Sequence, residues 1–273
     1  MGNLNRCSIS DIIDADLKGW KNILKGEKMD LGLKDKAALV TGSGSQIGFG
    51  REIALTLAKE GCDIVVADMD LEGAKKTAAD VEASGRRAIT IKVDVTDRDE
   101  VDSMVKAAID EFGRIDILVN NAGTSSELKP FIEMTRADWD LDIGVNLYGQ
   151  MNVVQAVLPH MISRKHGRIV NISGGQGFAS ISVYGAAKAG VEAFTHALAM
   201  EVAPHGIIVN GVLPGMAQTG LVLKAPAEAA EAYKQSSALK RLCTPRDVAT
   251  MVTFLASDVC SYMTGRFVTL ETS

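Results

Sequence analysis

Tyr184 and Lys188 stand four residues apart in SVYGAAKAG, a spacing that on a helix puts both side chains on one face, about a turn apart. An ammonium beside a phenol favours the phenolate, so Lys188 is expected to lower a pKa that is about 10 when unperturbed. A phenol tuned towards neutrality can exchange a proton with a reacting group. Such pairs also arise by chance on solvated helices, so this one needs a partner site. The stretch Thr41-Gly-Ser-Gly-Ser-Gln-Ile-Gly-Phe-Gly50 supplies one, between an apolar run and the helical REIALTLAKEG. In that setting Gly42 allows a tight turn, Gly48 lets backbone N–H groups approach a pyrophosphate, and Gly50 lets the helix pack close. The helix N-terminus would then face the phosphates with the positive end of its dipole.

Asp68 closes the second apolar run, where an acidic side chain can receive adenosine ribose hydroxyls. A carboxylate there repels a 2′-phosphate, and neither 42–50 nor 67–70 holds an Arg or Lys. NAD is therefore preferred, with NADP the lesser alternative. Asp68 could instead be a turn residue, or cap a helix starting near Leu71. Asp94-Val95 and Asn120-Asn-Ala-Gly123 close the third and fourth runs. Asp94 could accept from the adenine amino group, while Asn121, Ala122 and Gly123 would offer the cofactor a small, backbone-rich surface. The Asp, Asn and Gly residues among them are also ordinary turn residues.

These residues need a scaffold, and the chain spells one. From Lys36 short β-branched runs (37–41, 63–67, 88–93, 115–120, 168–172, 207–212 and 267–270) alternate with helical-period segments at 52–60, 71–83, 100–112, 138–164, 184–203 and 247–256. Continuous apolar runs fit strands buried on both faces, and the alternation predicts right-handed βαβ units in one α/β domain over 36–273. Residues 1–35 are polar and mixed, without the apolar core of a secretory signal. They read as an accessory extension, or as preceding a translation start at Met29, where Lys-Gly-Glu-Lys can be encoded by purine-rich codons.

The 273 residues carry a net charge of −5 with no basic run, which argues against nucleic acid or an anionic membrane as partner. No apolar stretch reaches the ~20 residues that span a bilayer. Cys7, Cys62, Cys243 and Cys260 lie far apart and the four histidines form no HExxH, so no metal site is expected and reduced thiols of a cytoplasmic protein are the reading.

The ordered set TG-x5-GFG, Asp68, Asp94-Val95, NNAG, Asn146, Ser173, Tyr184-x-x-x-Lys188 and Pro214-Gly215 resembles the short-chain dehydrogenase/reductases of the compact type, over roughly 33–270. The resemblance implies a doubly wound Rossmann fold: seven parallel strands in three α/β/α layers, with a nicotinamide cofactor along the carboxyl edge of the sheet. It also implies a homotetramer, or a homodimer, built on the helices at 138–164 and 184–203. Tyr184 would exchange a proton with the oxygen of a small alcohol or carbonyl substrate. Lys188 would lower the Tyr184 pKa and bind the nicotinamide ribose. Asn146 would hold a water in the proton relay, Pro214-Gly215 would line the nicotinamide, and Thr219 would lie near its carboxamide.

Three departures from that pattern stand out. Two extra residues precede Gly48, so Gly48-Phe49-Gly50 is aligned with the usual Gly-x-Gly and Ser45-Gln46 falls in a longer loop near the phosphates. Gly174 occupies the customary serine position; Ser173 is taken as its replacement, with Ser180 or Ser182 as alternatives. The chain stops soon after Leu270, where relatives continue to an Asp-Gly-Gly ending. Met216, Leu221, Val222, Leu223 and Phe178 would suit an apolar or medium-sized carbonyl compound. Oxidation of a secondary alcohol with NAD is the preferred activity. Reduction of a 3-oxoacyl thioester on a carrier protein, and nucleotide binding with impaired catalysis, are the alternatives.

Overall fold

A computed structural model describes residues 29–175, 178–217, 219 and 227–270. The compact unit is Gly32–Ser273, and Leu33 is already fully buried in it. The readings for residues 1–28, for Leu221–Leu223 and for the chain end at 271–273 lie outside the described residues.

Seven strands form one parallel sheet: β1 (Ala37–Thr41), β2 (Asp63–Asp68), β3 (Ala88–Lys92), β4 (Ile117–Asn120), β5 (Gly167–Ile172), β6 (Ile207–Pro214) and β7 (Phe267–Leu270). Their spatial order is β3-β2-β1-β4-β5-β6-β7. Five of the seven predicted runs begin or end within a residue of the observed strand at both ends. β4 starts two residues late because Ile115 and Asp116 lead into it from the preceding turn. β6 runs two residues on, to Pro214, because β7 pairs with it there.

Between strands lie α1 (Phe49–Lys59), α2 (Leu71–Ala83), α3 (Arg98–Phe112), α4 (Arg136–Ile143), α5 (Gly149–Arg164), α6 (Ser182–Val202), α7 (Ala227–Ser236) and α8 (Pro245–Ala256). Leu39, Val65, Leu118, Ile169 and Val209 project from five strands onto Met104 and Val105 of α3, Val153 and Val157 of α5, and Leu198 of α6. On the opposite face α1 packs on α8 and on α2, with Ile53, Leu57, Val248 and Val252 fully buried. The sheet is thus covered on both sides, as its apolar strands require.

The expected single helix 138–164 is a correction. The segment starts earlier, at a capping box in which Thr135 and Asp138 each satisfy the other's backbone N–H. It then passes through one π-helical turn, Gly144–Tyr148, before continuing as α5. Such turns are rare and gather at functional sites. Asn146 sits in this one.

Candidate active site

Strand order reverses between β1 and β4, and open α/β sheets bind ligands in the crevice above that point. Residue types at the crevice explain its shape. Asn121 does not face outward as a free surface: its Nδ2 donates to Thr41 O (2.9 Å) and Gly42 O (2.8 Å), lashing β4 to the glycine turn. Thr41 Oγ1 accepts from the N–H groups of Asn121 and Ala122, both at 3.1 Å. Gly42 has φ +65°, and a Cβ there would lie 2.7 Å from Ala122 Cα. Gly50 lies behind the turn, where a Cβ would come within 2.6 Å of Asn121 Nδ2. It is a packing residue and does not line the cleft.

A cleft of about 820 Å³ runs from this turn along the carboxyl edge. Gly42, Ser45, Gln46, Gly48 and Phe49 line one end with Asp68. Asp94, Val95, Ala122, Gly123 and Asn121 line the middle, and Ser173, Tyr184, Lys188 and Thr219 the other end. Asn146 sits just beneath the wall, Pro214 ends β6, and Gly215 lines a second, smaller cavity with Tyr233 and Arg241. Tyr184 and Lys188, four residues apart on α6, therefore do reach the same cleft as the glycine turn.

The electrostatics correct one expectation. Burial, with the Asp142 carboxylate adding to it, pushes the Tyr184 phenol up to about 12. The expected lowering by Lys188 does not prevail: its Nζ donates to Ile172 O (3.0 Å) and lies 5.7 Å from the Tyr184 ring centroid. Burial instead brings Lys188 down to about 8. Desolvation disfavours both charged forms and is the largest cause of each shift.

Ser173 reaches the cleft beside Tyr184, with its hydroxyl engaged by α6. Its single hydroxyl proton is within reach of Glu192 Oε1 (2.8 Å) and Lys188 O (3.1 Å), and donates to one of them at a time. Ser173 follows the last residue of β5, Ile172, and its hydroxyl meets α6 there. Gly174 and Gly175 follow at φ +136° and +65°, and a Cβ on Gly175 would lie 2.9 Å from Tyr184 Cδ1. The alternatives fare no better. Ser182 Oγ contacts Met134 Sδ, and Ser180, at φ +68°, offers its carbonyl to Lys129 N.

Asn146 is fully buried, and its Nδ2 donates to Thr124 O (2.7 Å) and Asp142 O (2.8 Å). Its Oδ1 is a buried acceptor with no protein partner. A Cβ added to Gly123 would lie 2.8 Å from that oxygen and 3.4 Å from Lys188 Nζ, so both groups converge on one glycine. Asp94 Oδ1 accepts from Thr96 N (2.9 Å) and Oγ1 (2.7 Å), shaping its own turn. Asp70, not Asp68, caps α2 by accepting from Gly73 N.

Sequence reasoning missed three residues here. Asp142, fully buried, accepts from Ser126 N (2.7 Å) and Ser126 Oγ (3.0 Å) one turn before Asn146; its i, i+4 spacing from Asn146 was the available signal. Met69, 61 % exposed, lines the end beside Asp68. Lys76, a turn into α2, lines it too, lying outside the 67–70 window in which a cation was sought.

A nicotinamide dinucleotide fits these residues. The N-terminus of α1 has no side-chain cap, leaving its first N–H groups for an anion. The glycine turn has no Cβ in the way, and Asn146 holds a buried acceptor in reserve.

A family profile described as Enoyl-(Acyl carrier protein) reductase matches residues 42–271. The (2S)-[(R)-hydroxy(phenyl)methyl]succinyl-CoA dehydrogenase subunit BbsD of Thauera aromatica is 40% identical over 86% of this chain and 95% of its own. The 3-oxoacyl-[acyl-carrier-protein] reductase FabG of Thermotoga maritima is 37% identical over 88% and 97%. Levodione reductase superposes with a TM-score of 0.84 at 32% identity, covering 88% of this chain and 97% of that one. With the cleft, the strand order and the Tyr184–Lys188 pair in place, the chain belongs to the short-chain dehydrogenase/reductase family, whose members use NAD(P).

Proposed function

We propose that this chain is an NAD(P)-dependent oxidoreductase that interconverts a secondary alcohol and a ketone, with NAD preferred. One observation carries the reading: the buried Tyr184–Lys188 pair and the uncapped, glycine-fronted helix N-terminus open onto one cleft. When bound, the nicotinamide supplies the carbon that takes or gives the hydride. Tyr184, its pKa near 12, holds its proton at neutral pH and hydrogen-bonds a carbonyl oxygen. It gives up that proton as negative charge grows there. Lys188, its pKa near 8 and tethered to Ile172 O, is the group able to exchange protons close to neutrality. Asn146 Oδ1 offers an acceptor to a water in that path. Thr219 closes the nicotinamide end, and Asp68 selects against a 2′-phosphate, with Lys76 pulling the other way.

The domain over 36–273 does this work in the cytoplasm, with 1–35 either an accessory extension or a segment preceding a start at Met29. Among the described residues no helix is long and apolar enough to cross a membrane. Exposed Tyr148 and Met151 on the π turn and α5 offer apolar surface for assembly as a homotetramer or homodimer.

A second reading, 3-oxoacyl thioester reduction, is favoured by two of the relatives, one a succinyl-CoA dehydrogenase subunit and one a 3-oxoacyl carrier-protein reductase. A third, nucleotide binding with impaired turnover, draws on the engaged Ser173 hydroxyl. One experiment separates them. NAD and NADP are offered with a panel of secondary alcohols and 3-hydroxyacyl-CoA esters, and reduced nicotinamide is followed by absorbance. Turnover of simple alcohols that falls roughly 10²–10⁴-fold in Tyr184→Phe supports the first reading. Turnover confined to thioesters supports the second. Cofactor binding without turnover across the panel supports the third.

A further inference from the structure

We propose that Gln46 is a positioning residue for the adenosine end of the cleft. Its amide is turned onto α2, holds Gly44 in place, and through Gly44 aims the carboxylate of Asp68. The proposal rests on the reading that this cleft takes a nicotinamide dinucleotide.

Gln46 Nε2 lies 2.8 Å from Gly44 O, 3.0 Å from Gly73 O and 3.4 Å from Thr77 Oγ1. Its two protons are thus shared between the loop and the first two turns of α2. Thr77, fully buried, adds a second tie by donating to Ser43 O at 2.8 Å. Gly44 N in turn donates to Asp68 Oδ2 (2.7 Å), and Asp70 N to Asp68 Oδ1 (2.9 Å). Gly44 is therefore gripped at its carbonyl by Gln46 and at its N–H by Asp68. Each Asp68 oxygen takes one backbone N–H and keeps a lone pair for a ribose hydroxyl.

The contact requires two glycines. A Cβ on Gly44 would lie 2.9 Å from both Asp68 Cγ and Asp70 O, and one on Gly73 would lie 2.5 Å from Asp70 Oδ2. A glycine loop lengthened by two residues has more freedom to lose on ordering. The Gln46 amide restrains it by tying the Gly44 carbonyl to that of Gly73 in α2.

The test titrates wild type, Gln46→Ala, Thr77→Val, Asp68→Ala and the Gln46→Ala/Asp68→Ala double variant with NADH and NADPH, reading Kd from nicotinamide fluorescence without turnover. Gln46→Ala is expected to weaken NADH about tenfold, the scale of one lost hydrogen bond to a positioned group. NADPH, still attracted by Lys76, should weaken less. Thr77→Val should shift the ratio the same way, and in the Asp68→Ala background Gln46→Ala should add little. An unchanged NADH Kd, an equal loss for both cofactors, or effects additive with Asp68→Ala would overturn the proposal. If wild type binds neither dinucleotide, the functional reading falls with it; if wild type binds and Gln46→Ala does not shift the ratio, only the role of Gln46 falls.

Discussion

At the residue scale, two buried groups set the chemistry, and each carries a signed pH consequence. Asp142 is an anion in the protein interior that makes the Tyr184 phenolate harder to form. Asp142→Asn keeps an acceptor for Ser126 N and removes the charge, so the Tyr184 pKa is expected to fall. The limb of the kcat/KM profile that reports this phenol then moves to lower pH; a limb that stays put would remove Asp142 from the electrostatics of the site. Lys188 has a folded pKa near 8 against an ordinary 10.5. A depressed pKa means stability that is present above 10.5 and lost as pH falls through 8. The buried amine therefore costs up to about 3 kcal/mol at neutral pH, at ~1.4 kcal/mol per unit. Lys188→Met, which abolishes the site, is expected to raise the midpoint of chemical denaturation at pH 7, with the gain vanishing above pH 10.5.

At the scale of elements, the cleft depends on backbones that touch. The turn after β1, the end of β4 and the start of α1 meet at Gly42, Asn121 and Gly50, with the Asn121 amide joining the carbonyls of Thr41 and Gly42. Gly50→Ala puts a methyl where Asn121 Nδ2 and the Gly42 carbonyl already stand. It is expected to destabilise by roughly 1–3 kcal/mol, the range for overpacked interiors, and to weaken dinucleotide binding by more than its effect on unfolding explains. Thermal unfolding beside a cofactor titration checks both. Much of this architecture is legible in the chain, since β-branched runs and glycine spacing report local backbone needs. The π turn at Gly144–Tyr148 is not, because a helical period of apolar residues cannot tell an extra residue per turn from a regular helix.

At the scale of the whole molecule, charges tie the amino end of the sheet opposite the cleft. Asp116, fully buried, accepts from Ala37 N (3.0 Å), Arg114 Nη2 (2.6 Å) and Arg164 Nη1 (3.0 Å), joining β1, β4 and α5. Burial alone would raise its pKa, but Arg114 and the Ala37 N–H outweigh that and hold it below the ordinary 3.8. Stability from this depressed pKa is present above 3.8 and lost as pH falls below it. Asp116→Asn should therefore cost roughly 1.5–3 kcal/mol at pH 7, the range for a hydrogen bond to a charged group, since Arg114 and Arg164 keep access to water. The gap from wild type should close in acid, as urea melts at several pH values would show.

What the chain determined by itself was the alternation of strands and helices, the glycine turn, the Asp68 position and the Tyr184–Lys188 spacing, all written in residues close to one another. Tertiary structure decided which way the side chains face: Ser173 towards Glu192, Gln46 onto α2, Asp142 inside beneath the site. It also reversed the expected direction of the Tyr184 pKa. The physical reason is common to these cases. Desolvation and hydrogen-bond choice depend on what packs alongside from distant parts of the chain, and no local spacing records that.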